Sequence, residues 1–247
     1  TDTIFTHLSA MNAGGTTTFE QGSTITGAGN ISAATAAVSA ADATILAIGL
    51  DKSQEHEGMD RKDTLLPAAQ EALAAAVFKA AGSSKPVIVL LCNGGAVSID
   101  DLITPAAAII EAFNPAQQGP KALSALIFGK ENRWGKLPIT IYDKDYSTKL
   151  PIQDMEYHTP PGRSYRYYTG KPLFSFGDGL SLTTFSHTCK CGDTALADSD
   201  ITCSCDVKNT GKMAGDEVVM VYDALSPAIR RSVCLSVCLS VCLSVCL

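Results

Sequence analysis

Between Gly49 and Arg61 the chain reads Gly-Leu-Asp-Lys-Ser-Gln-Glu-His-Glu-Gly-Met-Asp-Arg, which sets Asp51, Glu55, Glu57 and Asp60 beside one arginine. Carboxylates crowded this closely raise one another's proton affinity, a setting suited to groups that take up and release protons. The stretch follows an apolar run, residues 43–50, whose length and β-branched content predict a buried strand. Charged groups at the end of such a strand are costly unless solvent, a partner or a substrate meets them. Open α/β sheets place their ligand sites at that end of the strands. The acidic loop is therefore where function is expected.

The elements that must position the loop follow from periodicity and punctuation. Residues 32–41 predict an alanine-rich helix with Ser32 near its N-cap. Pro67 opens the next helix, Leu66, Leu73 and Val77 mark its apolar stripe, and Gly82 ends it. Residues 87–92 read as a strand closed by Asn93-Gly94-Gly95, and 98–103 as a short helix. Residues 107–113 read as a strand, 121–128 as a helix stopped by Gly129, and 137–142 as a further strand. Strands alternating with helices at this spacing predict an α/β fold with a mostly parallel sheet. Loops 51–61, 93–97 and 114–119 would then share one edge of that sheet. Taken singly, Gly94-Gly95 is a tight turn and Asn114-Pro115 a loop opener; convergence with the acidic loop is what makes them a site.

Beyond residue 142 the character changes. Residues 150–185 are rich in Pro, Gly and aromatics, including Tyr157, Tyr165, Tyr167, Tyr168, Phe174, Phe176 and Phe185, which predicts irregular structure pinned by aromatic burial. Alternation returns at 201–207, Asn209-Thr210-Gly211 makes a turn, and 218–222 is another strand. Two or three strands cannot bury both faces of a β-sandwich, so the sandwich is expected to be partial.

Composition narrows the classes. A chain of 247 residues with 46% hydrophobic residues can bury a sizeable core. A net charge of −6 argues against nucleic acid, whose binding rests on clustered Lys and Arg. No apolar stretch approaches the roughly 20 residues a membrane helix needs. The chain opens on Thr1, and Ser232 to Leu247 is Ser-Val-Cys-Leu repeated without deviation. The DNA unit TCTG, read through successive frames, encodes that repeat, so residues 232–247 are expected to be a translated simple repeat without a selected role. Four of the nine cysteines lie in it, Cys234, Cys238, Cys242 and Cys246. Of the others, Cys92 sits in a strand, while Cys189/Cys191 and Cys203/Cys205 each place two side chains on one strand face. Cross-strand disulfides, free thiols and a metal site all remain open for these four, although structural zinc favours wider spacing.

Several ordered motifs carry a resemblance. The stretch Gly49-Leu50-Asp51…Glu55-x-Glu57-Gly58-x-Asp60-Arg61, then Leu66-Pro67…Gln70-x-x-Leu73, resembles the C-terminal α/β domain of glycoside hydrolase family 3. Gly129-Lys130-x-Asn132-x-x-Gly135-Lys136-Leu137-Pro138 resembles that domain's late turn, and Pro161-Gly162-Arg163-Ser164-Tyr165-Arg166-Tyr167-Tyr168 through Gly179-Leu180 its closing segment. With Asp154-Met155 upstream, the closing segment is most similar to the β-xylosidase-like branch. Asn209-Thr210-Gly211…Gly215-Asp216-Glu217-Val218-Val219 resembles the fibronectin-type-III-like domain that follows in many members. The implied organisation is the α/β domain over 1–181, a partial fibronectin-type-III-like module over 182–231, and the repeat tail.

The resemblance implies a retaining exo-β-xylosidase acting on xylosyl or arabinosyl ends of plant-type oligosaccharides, with β-glucosidase as the alternative within the family. A nucleophilic aspartate would come from an N-terminal (β/α)₈ barrel and the acid/base glutamate from the acidic loop. Glu57 is the first choice for that glutamate and Glu55 the second. Asp51, Asp60 and Arg61 are candidate substrate-binding residues, with Asp60 and Arg61 also expected to pair and brace the loop. His56 and His158 are expected to be exposed filler, and Arg163, Tyr165 and Arg166 to serve domain packing. The resemblance implies no cofactor, no metal, no nucleic-acid or membrane partner, and a secreted or vacuolar setting.

Departures are also visible. A first strand before residue 30 is missing, Asn114 to Pro120 replaces a Pro-Gly-Gln-x-Gly-Gly type of loop, Asp178 stands where histidine is common, and Leu182 where an aromatic is common. A truncated or degenerate product, inactive by itself, is therefore expected. A non-catalytic carbohydrate-binding module, or a fragment without a role of its own, is the reading from a different class.

Overall fold

A computed structural model describes residues 2–192, 202–222 and the strand Ser240–Val241. In chain order the elements are α1 (Ile4–Met11), α2 (Ile31–Ala40), β1 (Thr44–Gly49), α3 (Ala68–Ala81), β2 (Val87–Cys92), α4 (Asp100–Ile103), β3 (Ala108–Glu111), α5 (Gly119–Ile127), α6 (Tyr146–Lys149), α7 (Ser164–Tyr167), β4 (Phe185–Cys191), β5 (Cys203–Asn209), β6 (Val219–Met220) and β7 (Ser240–Val241). They form two compact units, one from Thr1–Ser124 with Pro138–Phe176, the other from Ala125–Leu137 with Gly177–Leu247.

The first unit is α/β. Strands β1, β2 and β3 lie parallel in that order, in register Thr44 to Val87 and Ile88 to Ala108. The central strand β2 is covered on both faces: Val89, Leu90 and Leu91 are 0% exposed, which accounts for its continuous apolar sequence. Helix α3 turns Leu73, Ala74, Val77 and Ala81 inward at helical spacing. Pro67 serves as its N-cap, and Gly82, at φ 60°, ends it in a conformation glycine adopts without cost.

Gly49 and Gln70 fix the exit of β1. A Cβ on Gly49 would lie 1.9 Å from the Cys92 carbonyl oxygen, so no other residue fits beside β2 there. Gln70, 2% exposed on α3, accepts from the Gly49 N–H at 2.7 Å and donates to the Gly49 carbonyl at 2.7 Å and the Ile25 carbonyl at 3.0 Å. One buried amide thus satisfies both backbone groups of the residue from which the acidic loop departs.

Several expectations are corrected. Residues 2–29 hold no strand beyond the isolated bridge Ser23 to Ala28, as expected, but they do hold the unforeseen helix α1, opened by a Thr3–Thr6 capping box. The N-cap of α2 is Asn30, whose side chain accepts from the Ala33 N–H, not Ser32. Residues 137–142 form no strand; only Ile141 bridges to Phe174, with Pro138 unable to supply a ladder donor. The aromatic segment is irregular as expected, with the single-turn helix α7 inside it and α6 just before it; Tyr142 stacks on Tyr146 at 3.8 Å, and Tyr168 meets both edge-on.

In the second unit β4 and β5 pair antiparallel, starting at Phe185, earlier than the sequence pattern suggested. Their register sets Cys189 opposite Cys205 and Cys191 opposite Cys203, and both pairs are disulfide-bonded. Of the three open readings for these cysteines, the disulfide one holds. Asn132, 3% exposed, links the late turn to the hairpin: its Oδ1 accepts from the Leu182 N–H and Ser181 Oγ, and its Nδ2 donates to the Ala214 carbonyl. Strand β7 pairs with β6; the remainder of the Ser-Val-Cys-Leu repeat, with its cysteines, lies outside the described residues.

Replacing Gln70 by Leu keeps the volume and removes every bond to Gly49. Urea unfolding of Gln70→Leu should show a loss of about 1–3 kcal/mol for each backbone group left unpaired; an unchanged midpoint would contradict the clamp.

Candidate active site

The three loops predicted to share an edge do converge. The Gly95 N–H donates to Glu55 Oε1 at 2.8 Å, and a Cβ on Gly94 would lie 2.7 Å from Glu55 Oε1 and 3.4 Å from Asn114 Nδ2. Arg61 reaches back over the same turn, with Nε on Glu55 Oε2 at 2.8 Å and Nη2 on the Ala96 carbonyl at 2.8 Å. The two side chains are 14% and 26% exposed, so this ion pair is partly shielded from water. The sequence reading paired Arg61 with Asp60; the structure pairs it with Glu55 and leaves Asp60 exposed. Neighbours in sequence point apart on an extended segment, whereas Glu55 and Arg61 are brought together by the turn between them.

That turn presents Glu57. His56 and Met59 exchange backbone hydrogen bonds of 3.1 and 2.9 Å, leaving Glu57 and Gly58 as the two residues at the tip. Gly58 has φ 84°, the left-handed region that such a turn reserves for glycine. His56 is exposed, as expected, yet is not idle: its Nδ1 lies 2.6 Å from the Glu57 carbonyl oxygen. The Glu57 side chain is exposed, and among the described residues no hydrogen bond or ion pair holds its carboxylate.

The electrostatics separate the carboxylates. Burial pushes the Glu55 carboxyl up, but the Arg61 hydrogen bond, the Gly95 and Gly94 N–H groups and the Arg61 charge outweigh it and hold it below the ordinary glutamate value. Asp51 is also held low, by the Ser53 hydroxyl at 2.5 Å and the Ser53 N–H at 2.8 Å, and is spent on shaping the start of the loop. The mutual raising expected from crowding is therefore not what governs Glu55; burial, Arg61 and the Gly95 and Gly94 N–H groups do.

Sequence reasoning missed Glu111. It ends β3, its carboxylate accepts from the Phe113 N–H at 3.0 Å and from Asn93 Nδ2 at 3.3 Å, and burial raises its proton affinity despite both bonds. Its charge, after burial, also raises the Cys92 thiol. The available signal was a lone carboxylate inside the apolar run Ala-Ala-Ile-Ile-Glu-Ala-Phe. The loop that follows takes positive φ at Phe113 (49°) and Ala116 (52°), which costs a non-glycine residue about 1–2 kcal/mol each. Strain of this kind collects at functional sites.

Arg163 and Arg166 are tied within the aromatic segment. Arg163 donates to the Pro151 and Asp154 carbonyls, and Arg166 lies over the Tyr167 ring at 5.2 Å. His158 is exposed, as expected, and packs edge-on to Tyr167 at 4.4 Å. Among the described residues no group of three or more His, Cys, Asp or Glu side chains is arranged to hold a metal ion.

Because Glu55 is held low, its contribution to stability is present above its unfolded-state pKa and is lost as pH falls through the folded value. In Arg61→Met the Glu55 carboxyl should titrate at higher pH by carbon-detected NMR, and the acid loss of stability should begin at higher pH than in the parent chain. Identical titration in the two would contradict the pairing.

Comparison with known proteins agrees with this geometry. The family described as the glycosyl hydrolase family 3 C-terminal domain matches residues 2–182. Beta-D-xylosidase 1 of Arabidopsis thaliana is 45% identical over 161 residues, covering 63% of this chain and 20% of its own length. Beta-D-xylosidase 3 of the same organism is 32% identical over 243 residues, covering 82% and 31%. The chain thus spans well under half the length of these curated relatives. Among solved structures, a family 3 exo-β-xylosidase bound to a xylobiose aziridine probe superposes with TM-score 0.77 at 28% identity, over 90% of this chain and 32% of that one. A β-glucosidase from Kluyveromyces marxianus superposes with TM-score 0.66 at 32% identity, over 79% and 24%. With its parallel sheet and converging loops matched over more than half its length, this chain belongs to the glycosyl hydrolase family 3 C-terminal domain family.

Proposed function

We propose that this chain supplies the acid/base half of a retaining exo-β-xylosidase, with Glu57 as the acid/base residue. The observation that carries the assignment is the division of labour in the loop: both Glu55 oxygens are occupied by Arg61 and Gly95, while the Glu57 carboxylate, at the tip of a tight turn, has no partner among the described residues. A general acid must hold a proton when substrate arrives and release it to the leaving oxygen. Glu55, held ionised beside a guanidinium, is suited to bracing and unsuited to donating. In the first step Glu57 protonates the glycosidic oxygen while an aspartate of an N-terminal barrel attacks the anomeric carbon. In the second it takes a proton from the water that releases the sugar. Arg61 acts through Glu55, and Asp51 through the start of the loop; Asp60, exposed beside the turn, is left to meet substrate.

The xylosyl specificity is supported by the names of the similar proteins, several of which are xylosidases or bifunctional xylosidase/arabinofuranosidases. A β-glucosidase is the second reading, favoured by the superposition on the Kluyveromyces enzyme. The substrate is an oligosaccharide, the partner is the barrel domain of the same protein, and the setting is secreted or vacuolar. No helix among the described residues is long and apolar enough to cross a membrane. Residues 182–231 are read as a partial fibronectin-type-III-like module following the α/β domain at 1–181. The 247-residue chain alone should not turn over an aryl β-xyloside, since the nucleophile lies on the barrel.

Leaving-group dependence distinguishes the two glutamates in the full-length protein. Glu57→Gln should lower kcat/KM for xylobiose by about 10²–10⁴-fold and for dinitrophenyl xyloside far less, because that leaving group departs without a proton. Glu55→Gln should lower both alike through a disordered loop. The reverse pattern would assign the acid to Glu55.

A further inference from the structure

A second carboxylate reaches the same loop from below. Glu111 pairs in register with Leu91 at the end of the parallel sheet. Asn93 lies two residues beyond Leu91, so its side chain falls on the same side of the sheet as Glu111. Asn93 is 0% exposed, and its Nδ2 divides between Glu111 Oε2 at 3.3 Å and the Gly95 carbonyl at 2.9 Å. The Gly95 N–H holds Glu55 Oε1, Glu55 Oε2 holds Arg61, and Arg61 holds the Ala96 carbonyl. The result is one unbroken chain of hydrogen bonds, from Glu111 through Asn93 and Gly95 to Glu55 and Arg61.

We infer that Glu111 is a positioning residue for the acid/base loop: through Asn93 it sets the place of the Gly94–Gly95 turn, and through Gly95 the place of the Glu55 carboxylate that braces the turn carrying Glu57. The inference rests on the assignment of the acidic loop as the acid/base loop.

Three features argue for a role beyond filling space. Partial burial disfavours the Glu111 carboxylate, and an apolar side chain would avoid that cost. Both Glu111 oxygens are engaged, one by the strained Phe113 backbone and one by Asn93, so the same group fixes two of the three converging loops. Asn93 Oδ1, by contrast, is buried without a partner among the described residues, so the amide is oriented by its donor side alone, toward Glu111 and Gly95. A bond to an ionised carboxylate is shorter and stronger than one to its neutral acid. The ionisation state of Glu111 is therefore transmitted along the chain. The titratable groups that face it are Cys92 on β2 and, beyond Asn93 and Gly95, Glu55 with its cation Arg61.

The test uses the 247-residue chain and reads resonances rather than turnover, so it stands apart from whether the enzyme assignment is right. The amide of Gly95, the side-chain amide of Asn93 and the Nε–H of Arg61 are followed by nitrogen-15 NMR from pH 4 to 8 in the parent chain, Glu111→Gln, Glu111→Leu and the remote surface control Glu71→Gln. The parent and the control should show all three signals moving with one titration distinct from that of Glu55. In Glu111→Gln that movement should be lost, and in Glu111→Leu the Arg61 Nε–H signal should broaden or disappear through faster exchange. If Gly95 and Arg61 titrate in Glu111→Gln as they do in the parent, the chain does not transmit and the inference fails. Should Glu111→Leu not fold, the Glu111→Gln titration decides. In the full-length protein, intact coupling with no glycosidase activity would overturn the enzyme reading while leaving the positioning role in place.

Discussion

Everything at the candidate site depends on where the Glu55 carboxylate goes. A loop of four carboxylates at the end of a buried strand would repel itself outward unless something held it to the sheet edge. Glu55 does so by taking one N–H from the turn after β2 and one from Arg61, which in turn grips the carbonyl of Ala96. The acidic loop and the turn after β2, distant in sequence, are thereby joined around one anion. The ion pair gains from partial burial, since screening by water is reduced where both side chains are mostly covered. With Glu55 fixed, the chain from His56 to Met59 can close on itself and carry Glu57 at its tip.

The scaffold beneath is arranged to keep that anion in place. Gly49 lets β1 run against β2 with no side chain between, Gln70 satisfies the backbone where the loop leaves, and Glu111 with Asn93 underpins the glycine turn. Gln70 and Glu111 reach the loop region from other elements, so the sheet edge holds the site together with the loop's own Glu55–Arg61 pair. That is why glycines stand at 49, 94 and 95: bulk at any of them would strike a carbonyl, a carboxylate or the Arg61 guanidinium.

Much of this was legible in the sequence. The parallel sheet followed from apolar runs of six to eight residues separated by helical spacing, and β2 appears at the predicted residues 87–92. The convergence of the three loops followed from parallel topology alone. The partner of Arg61 was not legible, because adjacency in sequence favoured Asp60, and only the turn at Gly58 brings Glu55 round. Glu111 was hidden inside a strand pattern whose hydrophobicity outweighed its one charge. Residues 137–142 have the composition of a strand, yet beside residues 173–178 they form only the isolated bridge Ile141 to Phe174, a matter decided by tertiary context and not by propensity. Helix α1 escaped notice because two threonines, poor helix formers inside a helix, act at its start as a cap.

The central claim is that Glu57, and not Glu55, exchanges protons with substrate and water, and chemical rescue addresses it most directly. When the general base is removed from a retaining glycosidase, a small anion that needs no deprotonation can attack the glycosyl-enzyme in place of water. The full-length protein carrying Glu57→Gln, given dinitrophenyl xyloside and sodium azide, should form β-xylosyl azide, identified by proton NMR, while Glu55→Gln should form none. Azide product from Glu55→Gln and none from Glu57→Gln would contradict the account.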